Sequence, residues 1–218
     1  MIGHACRIPR FYSAKKNGES RTETARLSAL SERLIRLRET LSSNPRSGTN
    51  EKVEAVVGVL LRQEAANELS TLLIQRVERN NDPWSGQIGL PGGRVEKFDG
   101  STQDALEREV REEVGIDLGI DGEPLGALTV SHPMRNIEMR VQPFVYGLRR
   151  RPEVNVGPEV QEAFWVSLFK LPSVRELSEV EIRGMRREVE SFLVDGRIVW
   201  GFTYRVLSEL LAVPDVLG

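Results

Sequence analysis

At 218 residues, 39% hydrophobic and 28% charged, with a formal net charge of −2, the chain has the size and composition of one globular domain with a small extension. That balance predicts no general affinity for nucleic acid or an anionic membrane, and no run of 18 apolar residues offers a membrane span. One cysteine, Cys6, excludes an internal disulfide, and two histidines, His4 and His132, are too few for a histidine-built metal site.

Charge is uneven. Residues 1–41 carry nine Lys/Arg against four Asp/Glu, so the remainder is acidic. Residues 1–22 lack apolar periodicity and read as irregular. Their basic character is faintly that of a transit peptide, but Glu19 and Glu23 interrupt it and no apolar signal core follows the N-terminus. With the lone cysteine, this gives a cytoplasmic location as the expectation. Residues 23–42 predict an amphipathic helix, because Leu27, Leu30, Leu34, Ile35, Leu37 and Leu41 recur at helical spacing. Such a stripe must be covered by its own domain or by a second chain, so a homodimer is one expectation. Ser42 to Asn50, with Pro45 and Gly48, reads as a linker that separates an extension over 1–50 from a domain over 51–218.

Lys52 to Arg62 and Leu69 to Val77 predict two apolar strands around a polar turn, with Arg76 at the end of the second. Glu78 to Gly89 is rich in Asn, Asp, Pro and Gly and reads as a loop. Trp84 in that loop suits either stacking on a nucleobase or simple packing.

Leu90 to Ile116 reads as a glycine loop feeding a short helix. Pro91 and the Gly92-Gly93 pair break regular structure and let backbone approach a ligand closely. Ser101 predicts the N-cap, Asp104 stands where a capping-box acid would, and Gly115 predicts the C-terminal stop. Glu109, Glu112 and Glu113 are spaced i, i+3, i+4 and span an arc of roughly 100°. Ala105, Leu106, Val110 and Val114 fall on the adjoining arc, which predicts a core-facing stripe. Three like charges on one face destabilise a bare helix, and a counter-cation removes that cost. An all-oxygen cluster suits Mg²⁺ or Mn²⁺. A solvated acidic face is the plainer reading, and the glycine loop just upstream weighs against it.

After the helix, Asp117 to Glu123 reads as a turn, Pro124 to Ser131 as a strand, His132 to Asn136 as a loop and Ile137 to Leu148 as a longer strand. Arg149 to Arg151 is either a remote phosphate site or a solvated loop end. An acidic loop with Glu159 and Glu162 runs into Phe164-Trp165-Val166. Glu179 to Ile182 and Glu188 to Val194 suggest edge strands. Asp195-Gly196 predicts a hairpin turn into Arg197 to Trp200, and Gly201 to Ala212 predicts a closing helix. Strands interleaved with two principal helices give an α/β class.

Arg108-Glu109-Val110-Arg111-Glu112-Glu113-Val114-Gly115-Ile116 resembles the second half of the Nudix box, Arg-Glu-apolar-x-Glu-Glu-x-Gly-apolar. In the first half of that box, Gly-x5-Glu is followed by seven residues. Here Asp99 stands in place of the Glu after Gly93, and eight residues separate it from Arg108. Asp with the longer spacing resembles the coenzyme A pyrophosphatase branch, as do Ser85 to Gly93 and Trp200 to Thr203. The run Asn81 to Trp84 departs from that branch. The resemblance covers about residues 52–212 and implies a Nudix α/β/α sandwich with a mixed sheet, plus an N-terminal helical extension outside it.

It further implies metal-dependent hydrolysis of a small nucleotide substrate at a pyrophosphate bond. The best match is coenzyme A or acyl-coenzyme A, giving 3′,5′-ADP and a phosphopantetheine. The alternatives are a nucleotide-sugar, ADP-ribose or dinucleotide pyrophosphatase. A non-catalytic Nudix-fold binding protein is the rival from another class, and its sign, loss of the box carboxylates, is missing. By resemblance, Glu109, Glu112 and Glu113 are ligands of Mg²⁺ or Mn²⁺ and Gly93 lends a backbone carbonyl. Arg108 orients the carboxylates, Arg76 and Arg94 face phosphate, and Glu159 is the acid that positions or deprotonates water. Glu162 and His132 are the fallbacks for that last role.

Overall fold

The structure is a computed structural model, and it describes residues 30–43, 52–64, 68–78, 85–133, 138–182 and 184–217. Residues 1–29, residues 44–50 of the expected Ser42 to Asn50 linker and residues 79–84 of the expected loop, Trp84 among them, lie outside the described residues, and Ser42 and Ser43 are helical rather than linker.

Two apolar strands, β1 (Ala55–Gln63) and β2 (Leu69–Arg76), form the centre of a seven-stranded mixed sheet. The sheet runs β3 (Ile88–Gly89), β2, β1, β6 (Val141–Leu148), β5 (Gly122–Ala127). β4 (Gly92–Arg94) pairs with the first half of β1, and β7 (Val160–Ser167) pairs with β2. β1 and β6 are parallel; the neighbouring pairs are antiparallel. β8 (Arg175–Ile182), β9 (Met185–Val194) and β10 (Arg197–Trp200) form a separate three-stranded sheet. The Asp195-Gly196 turn forms as its residue types require, with φ of 49° and 79°.

Two apolar clusters lie on opposite faces of the large sheet. On one face Val59, Leu61, Leu69 and Leu73 pack with α1 (Glu32–Ser43), the small sheet and α4 (Gly201–Leu211). On the other, Val56, Leu60, Leu72 and Ile74 pack with Ala105, Leu106, Val110 and Val114 of α2 (Thr102–Val114). Side chains alternate along a strand, so one pair of central strands feeds both cores. The result is the expected α/β/α sandwich.

The stripe on α1 is covered within the chain. Leu34, Leu37 and Leu41 are buried, and the Arg33 guanidinium donates to the carbonyls of Asp215 (3.0 Å) and Val216 (2.7 Å) in the C-terminal tail.

Three local expectations differ from the structure. Asp117 to Glu123 is not only a turn: α3 (Leu118–Asp121) forms there because Asp117 caps it, accepting from the Ile120 N–H at 3.2 Å, while Leu118 is buried. The strand expected over Pro124 to Ser131 is β5 and ends at Ala127, after a register shift between Pro124 and Gly126. The edge strands expected near 179–182 and 188–194 are longer, since β8 and β9 pair from Arg175 to Ile182.

Candidate active site

The site is built where β4 turns into α2. Gly92 has φ of 144°, and a Cβ there would lie 2.2 Å from the Val56 carbonyl oxygen, so only glycine lets this turn lie flat on β1. Its N–H then donates to the Glu113 carboxylate at 2.8 Å. A Cβ on Gly93 would sit 2.4 Å from the Glu109 carboxyl carbon, so this backbone also rests directly on Glu109. Ser101 caps α2 by accepting from the Asp104 N–H at 3.1 Å, and Gly115 ends the helix with φ of 71°.

The three box glutamates sit in different surroundings. The Glu113 side chain is 4% exposed, Glu109 is 18% exposed and Glu112 is 61% exposed. On the helical wheel Glu113 falls beside Leu106 and Val110, and Glu112 on the far side of Glu109. Packing of the Val110–Val114 stripe rolls Glu113 inward and Glu112 toward solvent. Burial raises the Glu113 carboxyl to about 7, with the charges of Glu109 and Glu159 acting the same way against the Gly92 N–H and Arg76. Burial also raises Glu109, opposed by Arg108.

Arg108 organises the turn. It donates to both Asp99 oxygens at 3.1 and 3.0 Å, to Glu109 at 2.8 Å, to Glu112 at 3.4 Å and to the Arg94 carbonyl at 3.0 Å. Asp99 itself accepts from the Glu96 N–H at 2.7 Å. The Arg108 hydrogen bonds hold the Asp99 carboxyl below its ordinary value, and Asp99 in turn raises the guanidinium. The unusual acid and spacing upstream of the box thus serve to seat Arg108, a role invisible in the sequence.

Arg76 lies between two acids, 3.6 Å from Glu113 and 3.9 Å from Glu159. Glu159 is half-exposed and lines the same cavity as Glu109, Glu113, Arg76 and Arg94. The loop carrying it is pinned rather than loose. Asn155 and Gly157 N–H groups donate to the Val114 and Glu113 carbonyls at 3.0 and 2.9 Å, and Val77 N–H donates to the Glu159 carbonyl at 3.0 Å. These bonds satisfy the open end of α2 and tie the loop to the helix that carries the carboxylates.

The fallback residues are elsewhere engaged. Glu162 accepts twice from Arg197, at 2.6 and 2.8 Å. His132 is exposed, its Nδ1 3.2 Å from the Met139 carbonyl. Arg149, Arg150 and Arg151 pair with Glu123, Asp121 and Glu64, which argues against a phosphate site there. Trp84 lies outside the described residues.

Among the described residues, no three of His, Cys, Asp and Glu are gathered as a ready-made metal cluster. The donor chemistry nonetheless fits a hard divalent ion. Glu109 and Glu113 are carboxylates pushed toward neutrality beside a glycine backbone, and Glu112 is one 3.4 Å hydrogen bond away from release. The cavity above them holds about 400 Å³ and extends to the β10–α4 corner at Trp200 to Thr203. That corner reaches the site because Thr203 donates to the Ile88 carbonyl at 3.1 Å.

A family model described as NUDIX domain matches residues 52–187. An uncharacterized protein of Schizosaccharomyces pombe is 53% identical over 47 residues, which are 22% of this chain and only 14% of that protein's length. Among solved structures, the MutT protein from Methanosarcina mazei Go1 is 29% identical, over 56% of this chain and 83% of that chain, with a TM-score of 0.42. The NUDIX domain of Shewanella oneidensis NrtR, complexed with ADP ribose, is 23% identical over 56% of this chain and 77% of that chain, with a TM-score of 0.43. A MutT/nudix family protein from Enterococcus faecalis is 22% identical over 92% of this chain and 80% of that chain, also at 0.43.

Proposed function

The chain belongs to the NUDIX domain family of pyrophosphohydrolases, and from that premise we propose that it hydrolyses the pyrophosphate bond of a nucleoside diphosphate derivative with Mg²⁺ or Mn²⁺. The observation that carries this reading is the pair Glu109, half-buried, and Glu113, buried, under the Gly92-Gly93 turn at the polar end of one cavity. Two carboxylates crowded there without a cation are costly when ionised, which supports a site built for one. Nudix hydrolases generally use divalent metals, and an oxygen-only donor set suits the two named ions.

In this reading Glu109, Glu112, Glu113 and the Gly93 carbonyl hold the ion. The chemistry an ion supplies in such a place is neutralisation of diphosphate oxygens, acidification of water and stabilisation of the leaving phosphate. Arg94, exposed beside Gly93, meets a substrate phosphate at the cavity mouth. Asp99 seats Arg108, and Arg108 orients Glu109. Arg76 keeps Glu159 turned to the cavity. Glu159 takes a proton from the attacking water as the new P–O bond forms and the bridging P–O bond breaks.

The finer reading is coenzyme A or an acyl derivative, cleaved to 3′,5′-ADP and a phosphopantetheine. It rests on the resemblance of Asp99 and its spacing, of Ser85 to Gly93 and of Trp200 to Thr203. Nucleotide-sugars, ADP-ribose and dinucleoside polyphosphates are the alternatives. A turnover screen across these compounds with each ion tests both levels. Release of 3′,5′-ADP from coenzyme A supports the finer reading. Its absence beside ready turnover of another compound removes coenzyme A and leaves the reaction class intact.

A further inference from the structure

We propose that the β8–β9 hairpin is a docking arm for a second copy of this chain, with the apolar face of one arm laid antiparallel on the same face of the other. The arm serves association whatever reaction the cavity carries out.

The hairpin reaches beyond its own domain. Phe192 and Val194 anchor its base in the apolar core, and Ser178 and Ser191 are buried there with their hydroxyl oxygens 2.7 Å apart. Past that point, from Glu179 to Glu190, no described residue is buried, yet the two strands stay paired as far as Ile182 and Met185. A lone two-stranded hairpin is marginally stable in water and gains from a cover.

Alternation along the strands, together with their register, sorts the arm into two unlike faces. One face carries Glu179, Glu181, Arg186, Glu188 and Glu190, with Leu177 at its base, and Arg186 pairs with Glu179 across it at 3.1 Å. The other carries Val180, Ile182, Met185 and Val189 and continues through Leu193 and Ile198 to Trp200 at the cavity wall. None of these apolar residues belongs to either core cluster, and Met185 and Leu193 are 52% and 37% exposed. A sheet with one charged and one apolar face buries the apolar one against a partner.

The charges on the apolar face identify the partner. Among its described residues only Glu176, near the base, and Arg187, toward the tip, are ionised. Arg187 lies opposite Val180, so the two stand about 13 Å apart along the arm. Among the described residues Arg187 reaches only the Met185 sulfur, at 3.8 Å. Two arms stacked about a two-fold axis run antiparallel. Each Arg187 then lies over the Glu176 of the other arm, with the Ser178–Val189 row at the centre. A parallel stack would set Arg187 on Arg187. A partner of uniform charge would satisfy one of the two groups and repel the other, whereas the same surface inverted satisfies both.

The test is the mass of the full chain in solution, by sedimentation over a dilution series. The parent should be a dimer at roughly 100 μM and dissociate on dilution, as a small interface does. Arg187→Glu and Glu176→Arg should each weaken association about tenfold or more, and the two together should return it to within a few-fold of the parent. Val189→Lys, at the centre of the face, should leave a monomer, while Leu177→Ala on the opposite face should change nothing. Folding of each variant is checked by its unfolding transition, and the reversals at the exposed Arg187 and Glu176 carry the comparison if Val189→Lys does not fold. A parent that is monomeric at that concentration would overturn the proposal. A dimer indifferent to Val189→Lys and to both reversals would be joined elsewhere and would overturn it too. A double reversal no better than the single ones would overturn the antiparallel arrangement.

Discussion

Removing the charge of Glu113 should stabilise the metal-free protein while abolishing its activity. Glu113 is 4% exposed, and its carboxyl is raised from 4.5 to about 7, chiefly by burial. Between those values the folded chain holds a proton that the unfolded chain has released. Stability from this group is therefore fully present below about pH 4.5 and is lost as pH rises through about 7. At pH 8 the ionised carboxylate costs the folded state on the order of 3 kcal/mol. Glu113→Gln removes this cost and keeps an oxygen to accept from the Gly92 N–H, although it gives up the pairing with Arg76. Urea unfolding in a chelator should then show the variant more stable than the parent by about 1–3 kcal/mol at pH 8, with the gap closing near pH 5. Added Mg²⁺ should stabilise the parent at pH 8 and the variant far less. A variant less stable than the parent at pH 8, or a gap independent of pH, would refute the assignment of strain to this carboxylate.

Other expectations follow from the same geometry. Glu159→Gln should lower kcat by about 10²–10⁴-fold, whereas Glu162→Gln, which only leaves Arg197, should stay within a few-fold; the two variants assayed side by side decide the base. Gly93→Ala drives a methyl into the Glu109 carboxyl, so kcat/KM should fall at least tenfold, while Gly89→Ala, where a Cβ meets nothing within 4 Å, should leave stability near the parent's in thermal unfolding. Leu37→Ala should cost about 2–5 kcal/mol in chemical denaturation, because Leu37 is wholly buried against the domain. If α1 instead exists to join two copies, the same change would alter the mass in solution, which light scattering measures.

What the sequence made legible was local. The central strands, the caps of α2 at Ser101 and Gly115, and the Asp195-Gly196 hairpin each follow from residue types acting within a few positions. α3 was not legible, since four residues give no periodicity and only the Asp117 cap announces it. The candidate acids were found as a set, but not their inequality. Glu112 and Glu113 lie about 100° apart on the helical wheel, and packing of the Leu106–Val110 side against the sheet buries Glu113, over which the Gly92 turn then closes. Likewise Asp99 registered as an irregularity of spacing, and its grip on Arg108 became apparent from the turn that brings them together. The β10–α4 corner was the least legible, because Thr203 meets Ile88 across more than a hundred residues and no local pattern encodes that contact.

Metal-dependent hydrolysis is tested most directly by release of the nucleotide product from a nucleoside diphosphate derivative at pH 8, followed for the parent and Glu113→Gln with Mg²⁺ and with a chelator. The parent should turn over only with the divalent ion, and the folded Glu113→Gln variant should lose at least a hundredfold at saturating Mg²⁺. Turnover that survives both the chelator and the substitution, or a folded parent that cleaves none of the nucleoside diphosphate derivatives with either ion, would contradict it.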